Sequence, residues 1–239
     1  MFAGAQQPVP QNLPVYDQQR LHFGMALGYN QMDFTVYNSL LIYTLDSVYS
    51  VENRPRSGFN INIVSNLNLH RYWSFRILPG LNFGERDLEF ISHSRKDSTF
   101  FKKVMMIEST FLDVPFLFKY KSKRINNFRP YLVAGGAIKW DLAAQKAVRD
   151  DEKPKIRLKP LNTYYAFGVG TDFFMQYFKF AIEIKLEVGT RNVLVPDNFQ
   201  YAQAIDRLNS KIVHVTALFE GSDIRSFTSL FNKDKSRRK

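Results

Sequence analysis

The sequence predicts an all-β fold of about eight antiparallel strands closed into a transmembrane β-barrel. Three observations lead there. Period-two alternation recurs along the chain. Short connections alternate with long ones. In the clearest strands one face is aromatic and aliphatic, while the other carries Gly, Asn and charged residues.

Composition permits this reading. The 239 residues suit one domain or two small ones. With 45% hydrophobic residues, 22 Phe and 12 Tyr, the chain can supply a core or a lipid belt. Mean hydropathy is -0.28, and no stretch approaches the roughly 20 apolar residues of a membrane helix. A barrel escapes that test, because its strands alternate lipid-facing and lumen-facing residues. There is no Cys, which excludes disulfides, thiolate metal sites and a cysteine nucleophile. The net charge of +11 is spread over loops and a tail rather than along a helix, so nucleic acid is not an expected partner.

The elements follow in order. Residues 6–19 are Pro-rich and aperiodic. Phe23, Met25, Leu27 and Tyr29 then alternate with His22, Gly24, Ala26, Gly28 and Asn30. A second strand sets Phe59, Ile61, Ile63 and Leu67 against Asn60, Asn62 and Asn66. A third sets Trp73, Phe75, Ile77, Leu81 and Phe83 against Ser74, Arg76, Gly80 and Asn82. A fourth sets Leu112, Val114, Phe116, Phe118 and Tyr120 against Asp113 and Lys119. Pro115 cannot donate to a ladder, which predicts a bulge or break in that strand. The fifth, residues 128–142, has no legible face. The sixth alternates Tyr165, Phe167, Val169 and Phe173 with Ala166, Gly168, Gly170 and Asp172. The seventh alternates Phe178, Phe180, Ile182, Ile184, Leu186 and Val188 with Lys179, Ala181, Glu183, Lys185 and Glu187. The eighth sets Val213, Val215, Ala217 and Phe219 against His214 and Thr216.

Connections after the second, fourth and sixth strands are short; the others run on the order of 20 residues, an asymmetry typical of outer-membrane barrels. The predicted layout is an extended arm over 1–20, a barrel over 21–219 and a basic tail over 220–239. Phe167, Val169, Phe180, Ile182, Ile184 and Leu186 are assigned to lipid. Asp113, Lys119, Asp172, Lys179, Glu183, Lys185 and Glu187 are assigned to a polar network inside a lumen narrow enough for side chains to fill. A turn at 174–177 predicts Phe173 opposite Phe178, and so Asp172 opposite Lys179 and Gly168 opposite Glu183. Tyr72, Trp73, Tyr120, Tyr131, Phe173, Tyr177 and Phe178 gather at the turn end as an aromatic girdle.

Phe111-Leu112-Asp113-Val114-Pro115-Phe116-Leu117-Phe118-Lys119-Tyr120 resembles the aromatic-Leu-acidic-Ile/Val-Pro-Leu-x-x-Lys-Tyr signature of PorT-type outer-membrane barrels. Arg129-Pro130-Tyr131-Leu132-Val133-Ala134-Gly135, Phe167-Gly168-Val169-Gly170, Asn12-Leu13-Pro14-Val15-Tyr16-Asp17 and His22-Phe23-Gly24 extend the likeness. The resemblance implies an outer-membrane component of the type IX secretion and gliding-motility system of Gram-negative bacteria, without catalytic residues. Its partners would be outer-membrane lipids, lipopolysaccharide and other secretion proteins on the periplasmic side. Phe219 resembles the aromatic end of an outer-membrane insertion signal.

Other readings stay open at this point. His93, Ser94 and Asp97 share an outer loop, as a lipid-modifying barrel enzyme would require. A lipocalin-like soluble binder would show the same alternation with its faces exchanged. No pair among His22, His70, His93 and His214 has metal-ligand spacing, and no cofactor is expected. Arg54, Arg56, Arg86, Arg95, Lys96, Lys102 and Lys103 are read as outer-loop bases available to lipopolysaccharide phosphates. Residues 201–208 are a candidate short helix, and residues 149–153 a solvated charged loop. Ala3-Gly4-Ala5 resembles a signal-peptide cleavage site. The expected docking residues are Leu13 and Tyr16 on the arm, and Phe227, Leu230 and Phe231 on the tail.

Overall fold

The computed structural model describes residues 11–39, 48–93, 100–144, 156–196 and 200–221. Nine strands account for most of them: β1 (Leu21–Asn38), β2 (Val48–Asn68), β3 (Trp73–Ile77), β4 (Gly80–His93), β5 (Phe100–Lys121), β6 (Phe128–Asp141), β7 (Leu161–Phe174), β8 (Phe178–Gly189) and β9 (Ile205–Gly221). A 3-10 turn, Tyr16–Gln18, precedes β1, and a single helical turn, α1 (Gln200–Gln203), precedes β9. No described helix is long and apolar enough to cross a membrane.

All pairings are antiparallel, and they form a ring. Apart from β3 and β4, which do not pair with each other, consecutive strands are bonded, and β1 bonds both β2 and β9. β3 and β4 occupy one position in that ring, since both lie between β2 and β5. The ring therefore has eight positions. Such closure leaves no lipid-exposed edge, which the absence of water in a bilayer requires.

Strand faces follow from where charge can be tolerated. Phe167, Val169, Ile182, Ile184 and Leu186 are exposed and Phe180 is half-exposed, while Lys179, Glu183, Lys185 and Glu187 are buried. This is the inverse of a soluble barrel, with the apolar face outside and the polar face within. Trp73 lies beside Tyr120, Phe128 beside Phe173 and Phe178 beside Phe219 at the turn end. Tyr29, Trp140 and Tyr165 are exposed near the other end. Phe178 to Val188 on β8 spans the interval between the girdles, in keeping with the roughly 9–11 residues that a tilted strand needs.

Several expectations are corrected. The β7–β8 register is two residues away from the predicted one: Phe173 faces Phe180, Asp172 faces Ala181, Gly170 faces Glu183, Gly168 faces Lys185 and Ala166 faces Glu187. The turn tightens instead around Met175, whose amide donates to the Phe178 carbonyl (3.0 Å). An even slip leaves every side chain on its face. β5 runs through Pro115 in unbroken register with β6. The interruption falls on the neighbouring strand, at Leu78 and Pro79 between β3 and β4, where Pro79 has no amide to donate. Tyr131 points into the lumen and is not part of the girdle.

The outer connections are also shorter than expected after β1 and β4, comprising residues 39–47 and 94–99. The strands continue beyond the membrane, and there the polarity of their faces inverts. Past Tyr29, β1 buries Met32 and Phe34 and exposes Gln31 and Thr35. On β4, Leu88 and Phe90 turn inward. Asp87 and Glu89 on the opposite face pair with Arg56, Arg54 and Lys102. A reading that equates apolar with lipid loses the strand at this inversion. The predicted helix over 201–208 is only the turn α1, because β9 begins at Ile205. β9 also continues through Glu220 to Gly221, past the predicted barrel limit at 219.

The lipid and lumen faces of β8 give a test. Ile184→Arg should destabilise the barrel by roughly 2–4 kcal/mol in folding titrations into lipid vesicles. Lys185→Gln, on the lumen face, should cost less. The reverse order would mean that inside and outside are exchanged.

Candidate functional site

The interior is filled by three polar groups stacked along the barrel axis, with small side chains making room for them. Nearest the turns, Lys119 Nζ lies 2.7 and 2.8 Å from the two Asp172 oxygens. Lys179 Nζ lies 2.7 Å from Glu220 Oε2. Arg76 Nη1 donates to Glu183 Oε2 (2.7 Å), and its Nη2 lies 3.6 Å from Glu220 Oε1. The Tyr131 hydroxyl donates to the same Glu183 oxygen (2.9 Å). Gly170 separates Tyr131 from Glu183 in the ladder. A Cβ there would overlap the Tyr131 ring, so only glycine lets the ring cross to the carboxylate.

In the middle group, Lys139 Nζ lies 2.6 Å from Asp113 Oδ2 and 2.7 Å from Glu187 Oε2. Lys185 and His214 approach Glu187 at 2.7 and 3.1 Å. Asn82 donates to Asp113 (3.0 Å). In the outermost group, Arg86 donates to Ser210 (3.0 Å) and Ser109, lies 3.5 Å from Asp141, and stacks over the Phe34 ring at 4.2 Å. Charges taken from water are sustainable only when paired in this way.

Both mouths are occupied. At the outer end Phe34, Leu88 and Phe90 pack with Leu158 from the β6–β7 connection and with Val193 and Leu194 from the β8–β9 connection. At the turn end the Tyr16 ring is 2% exposed, stacks on His22 with centroids 3.9 Å apart, and donates its hydroxyl to Glu220 (2.9 Å). Burial and the Glu220 carboxylate push the Tyr16 hydroxyl well above its usual pKa, so it remains a neutral donor.

All seven residues assigned to the lumen network are buried and take part in these groups. Three of the most connected members escaped the sequence reading. Arg86 was assigned to an outer loop, Glu220 to the tail, and Lys139 lay on the strand without a legible face. Each continues the period-two parity of its strand: Asn82 to Arg86, His214 to Glu220, Arg129 to Lys139. β6 is illegible because its inward set mixes Arg129 and Lys139 with Tyr131 and Val133, which join one apolar cluster, and Ala137, which joins another. Of the expected docking residues, Tyr16 is buried against the barrel and half-buried Leu13 sits beside it in a left-handed conformation. Phe227, Leu230, Phe231, Ser94 and Asp97 lie outside the described residues, as does the Ala3-Gly4-Ala5 segment; of His93 only the backbone is described. Among the described residues no cluster of His, Asp and Glu could hold a metal ion.

A closed antiparallel ring with a lipid-facing apolar belt and a paired polar interior defines a multi-pass outer-membrane β-barrel. The chain belongs to the outer membrane protein beta-barrel domain family, which matches residues 5–195. No curated protein sequence matches it. Similar solved structures include Neisserial surface protein A (8% identity, 84% of this chain and 97% of the other, TM-score 0.44). OprG from Pseudomonas aeruginosa is also similar (10%, 84% and 93%, 0.42). So is the attachment invasion locus protein Ail of Yersinia pestis, in complex with the heparin analogue sucrose octasulfate (14%, 84% and 99%, 0.40).

Two outcomes follow from the filled lumen. Planar-bilayer recordings should show no large-porin conductance. Lys139→Met, which leaves Asp113 and Glu187 facing each other without their shared cation, should cost roughly 3–5 kcal/mol in lipid-vesicle unfolding titrations. Lys139→Arg should restore much of that loss.

Proposed function

We propose that this barrel is a non-enzymatic structural or assembly component of a bacterial protein secretion machine of the type IX and gliding-motility kind. The observation that carries the reading is the lumen, blocked by ion pairs along its length and covered at both ends. A barrel without a channel acts through its surfaces. The PorT-like signature at Phe111–Tyr120 lies on β5 and supplies Asp113 and Lys119 to two of the three charge groups. The signature thus contains residues that hold the barrel shut, and it contains no nucleophile–base pair.

Outer-membrane lipid surrounds the belt in this reading. Lipopolysaccharide phosphates meet Arg54 and Lys102, which are exposed on the outer strand extensions. Secretion partners meet the periplasmic end, where β1 enters and β9 leaves side by side. There the tail sequence carries Ile224, Phe227, Leu230 and Phe231 at about helical spacing, ahead of Lys233, Lys235, Arg237, Arg238 and Lys239. That pattern suits an amphipathic segment meeting an acidic partner surface.

Deleting residues 223–239 tests the assignment. Membrane insertion, read by heat-modifiable mobility, should be retained while secretion falls. Secretion at the full-length level would remove the tail from the docking site. Co-purification from native membranes in mild detergent should recover other secretion proteins with the full-length chain and fewer with the shortened one.

A further inference from the structure

We propose that residues 11–20 form a releasable stopper, latched into the periplasmic mouth through the Tyr16 ring. None of the segment's backbone belongs to a strand before Leu21; it is held by side chains. Tyr16 sits between His22 and the edge of Phe174, with Lys179 Nζ 4.9 Å from its ring centre. Asp17 Oδ1 accepts from Arg129 (2.9 Å) at the rim, where the Asp17 side chain is 42% exposed. The Asn12 amide donates to Asn127 Oδ1 (2.9 Å), its side chain donates to the Phe174 carbonyl (2.9 Å), and Arg124 donates to its carbonyl. At the other end the Asn68 amide donates to the Arg20 carbonyl (2.7 Å), a fixed point about which the segment can swing.

Two features make this a latch rather than a part of the barrel. The charge group beneath does not depend on Tyr16, because Glu220 keeps Lys179 and Arg76 when the hydroxyl leaves. Leu13 has φ 50°, a left-handed conformation that a leucine holds only while surrounding contacts impose it. Lifting the segment would admit water to Asn66, Lys179 and Glu220. It would open no path across the membrane, because the middle charge group and the outer apolar cap are closed independently. The periplasmic end is therefore switchable in a barrel that stays sealed, which goes beyond the static docking role proposed above.

The absence of native cysteine makes the test direct. Asn66→Cys reports on the mouth, since Asn66 shares Glu220 Oε2 with Tyr16. Ser210→Cys reports on the outer lumen beside Arg86. Both reporters are placed singly in the full chain in lipid vesicles and exposed to a membrane-impermeant maleimide. Tyr16→Ala should raise the labelling rate at the first by about tenfold or more, as expected for a local opening, and leave the second protected with no conductance. Tyr16→Phe, which retains the ring, should stay near the native rate. Equal labelling at Asn66→Cys with and without Tyr16→Ala would overturn the proposal. So would a parallel rise at Ser210→Cys, which would mean that the whole barrel had loosened. If Tyr16→Ala does not insert, Asp17→Ala cuts only the rim ion pair and should give a smaller rise at the first reporter alone; no rise there would equally overturn it.

Discussion

In a bilayer core no water is available to satisfy a backbone amide or carbonyl, and the rest of this structure depends on that constraint. A sheet meets it only by closing, and closure occurs here through β1, which pairs with both β2 and β9. With eight ring positions the lumen is too narrow for a column of water and wide enough for side chains. The same even number brings the first and last strands to the periplasmic end together. Tyr16 and Glu220, 204 residues apart in sequence, can therefore bond.

The narrow lumen imposes a second condition. Inward positions that carry charge must find opposite charge across the barrel, because an unpaired ion there costs several kcal/mol. The three groups achieve this with partners from different strands: Arg76 on β3 with Glu183 on β8 and Lys119 on β5 with Asp172 on β7 in the group nearest the turns, Lys139 on β6 with Glu187 on β8 in the middle group, and Arg86 on β4 with Asp141 on β6 in the outermost. These cross-lumen pairs tie together strands that share no ladder. Apolar layers between them, built from Leu117, Val133, Ala166 and Leu218, keep the groups separate. One end can thus be opened in principle without disturbing the others.

Outside the membrane the solvent changes and the chain changes with it. β2 and β5 run on for 21 and 22 residues, about twice a crossing. Their extensions with β1, β4 and β9 enclose an apolar core of ordinary soluble type, including Phe34, Leu88, Phe90 and Leu208. One strand can thus be apolar-out in its membrane half and apolar-in beyond it. The crossover falls near Tyr29 and Phe83, where the outward residues become Gln31 and Glu85.

The sequence by itself determined the architecture wherever one rule held along a strand. Alternation of Phe and Ile with Gly, Asn and charge on the membrane-crossing parts of β1, β2, β3, β7 and β8 is legible because there one neighbour is lipid and the other the lumen. Parity survives even a wrong register, which is why Glu183, Lys185 and Glu187 were placed inward although the turn was placed two residues away. Tertiary structure alone decided what depends on distant chain segments. It decided which charges meet, because a carboxylate on β8 has no local signal for an arginine on β3. It decided that Arg86 and Glu220 are interior, because their strands continue past the point where the hydrophobic pattern inverts or a tail was expected. It also decided that Tyr16 is buried in the mouth of the barrel rather than exposed. The aperiodic segment that carries it has no pattern of its own, and only the assembled mouth of the barrel supplies the ring, the carboxylate and the cation that hold it.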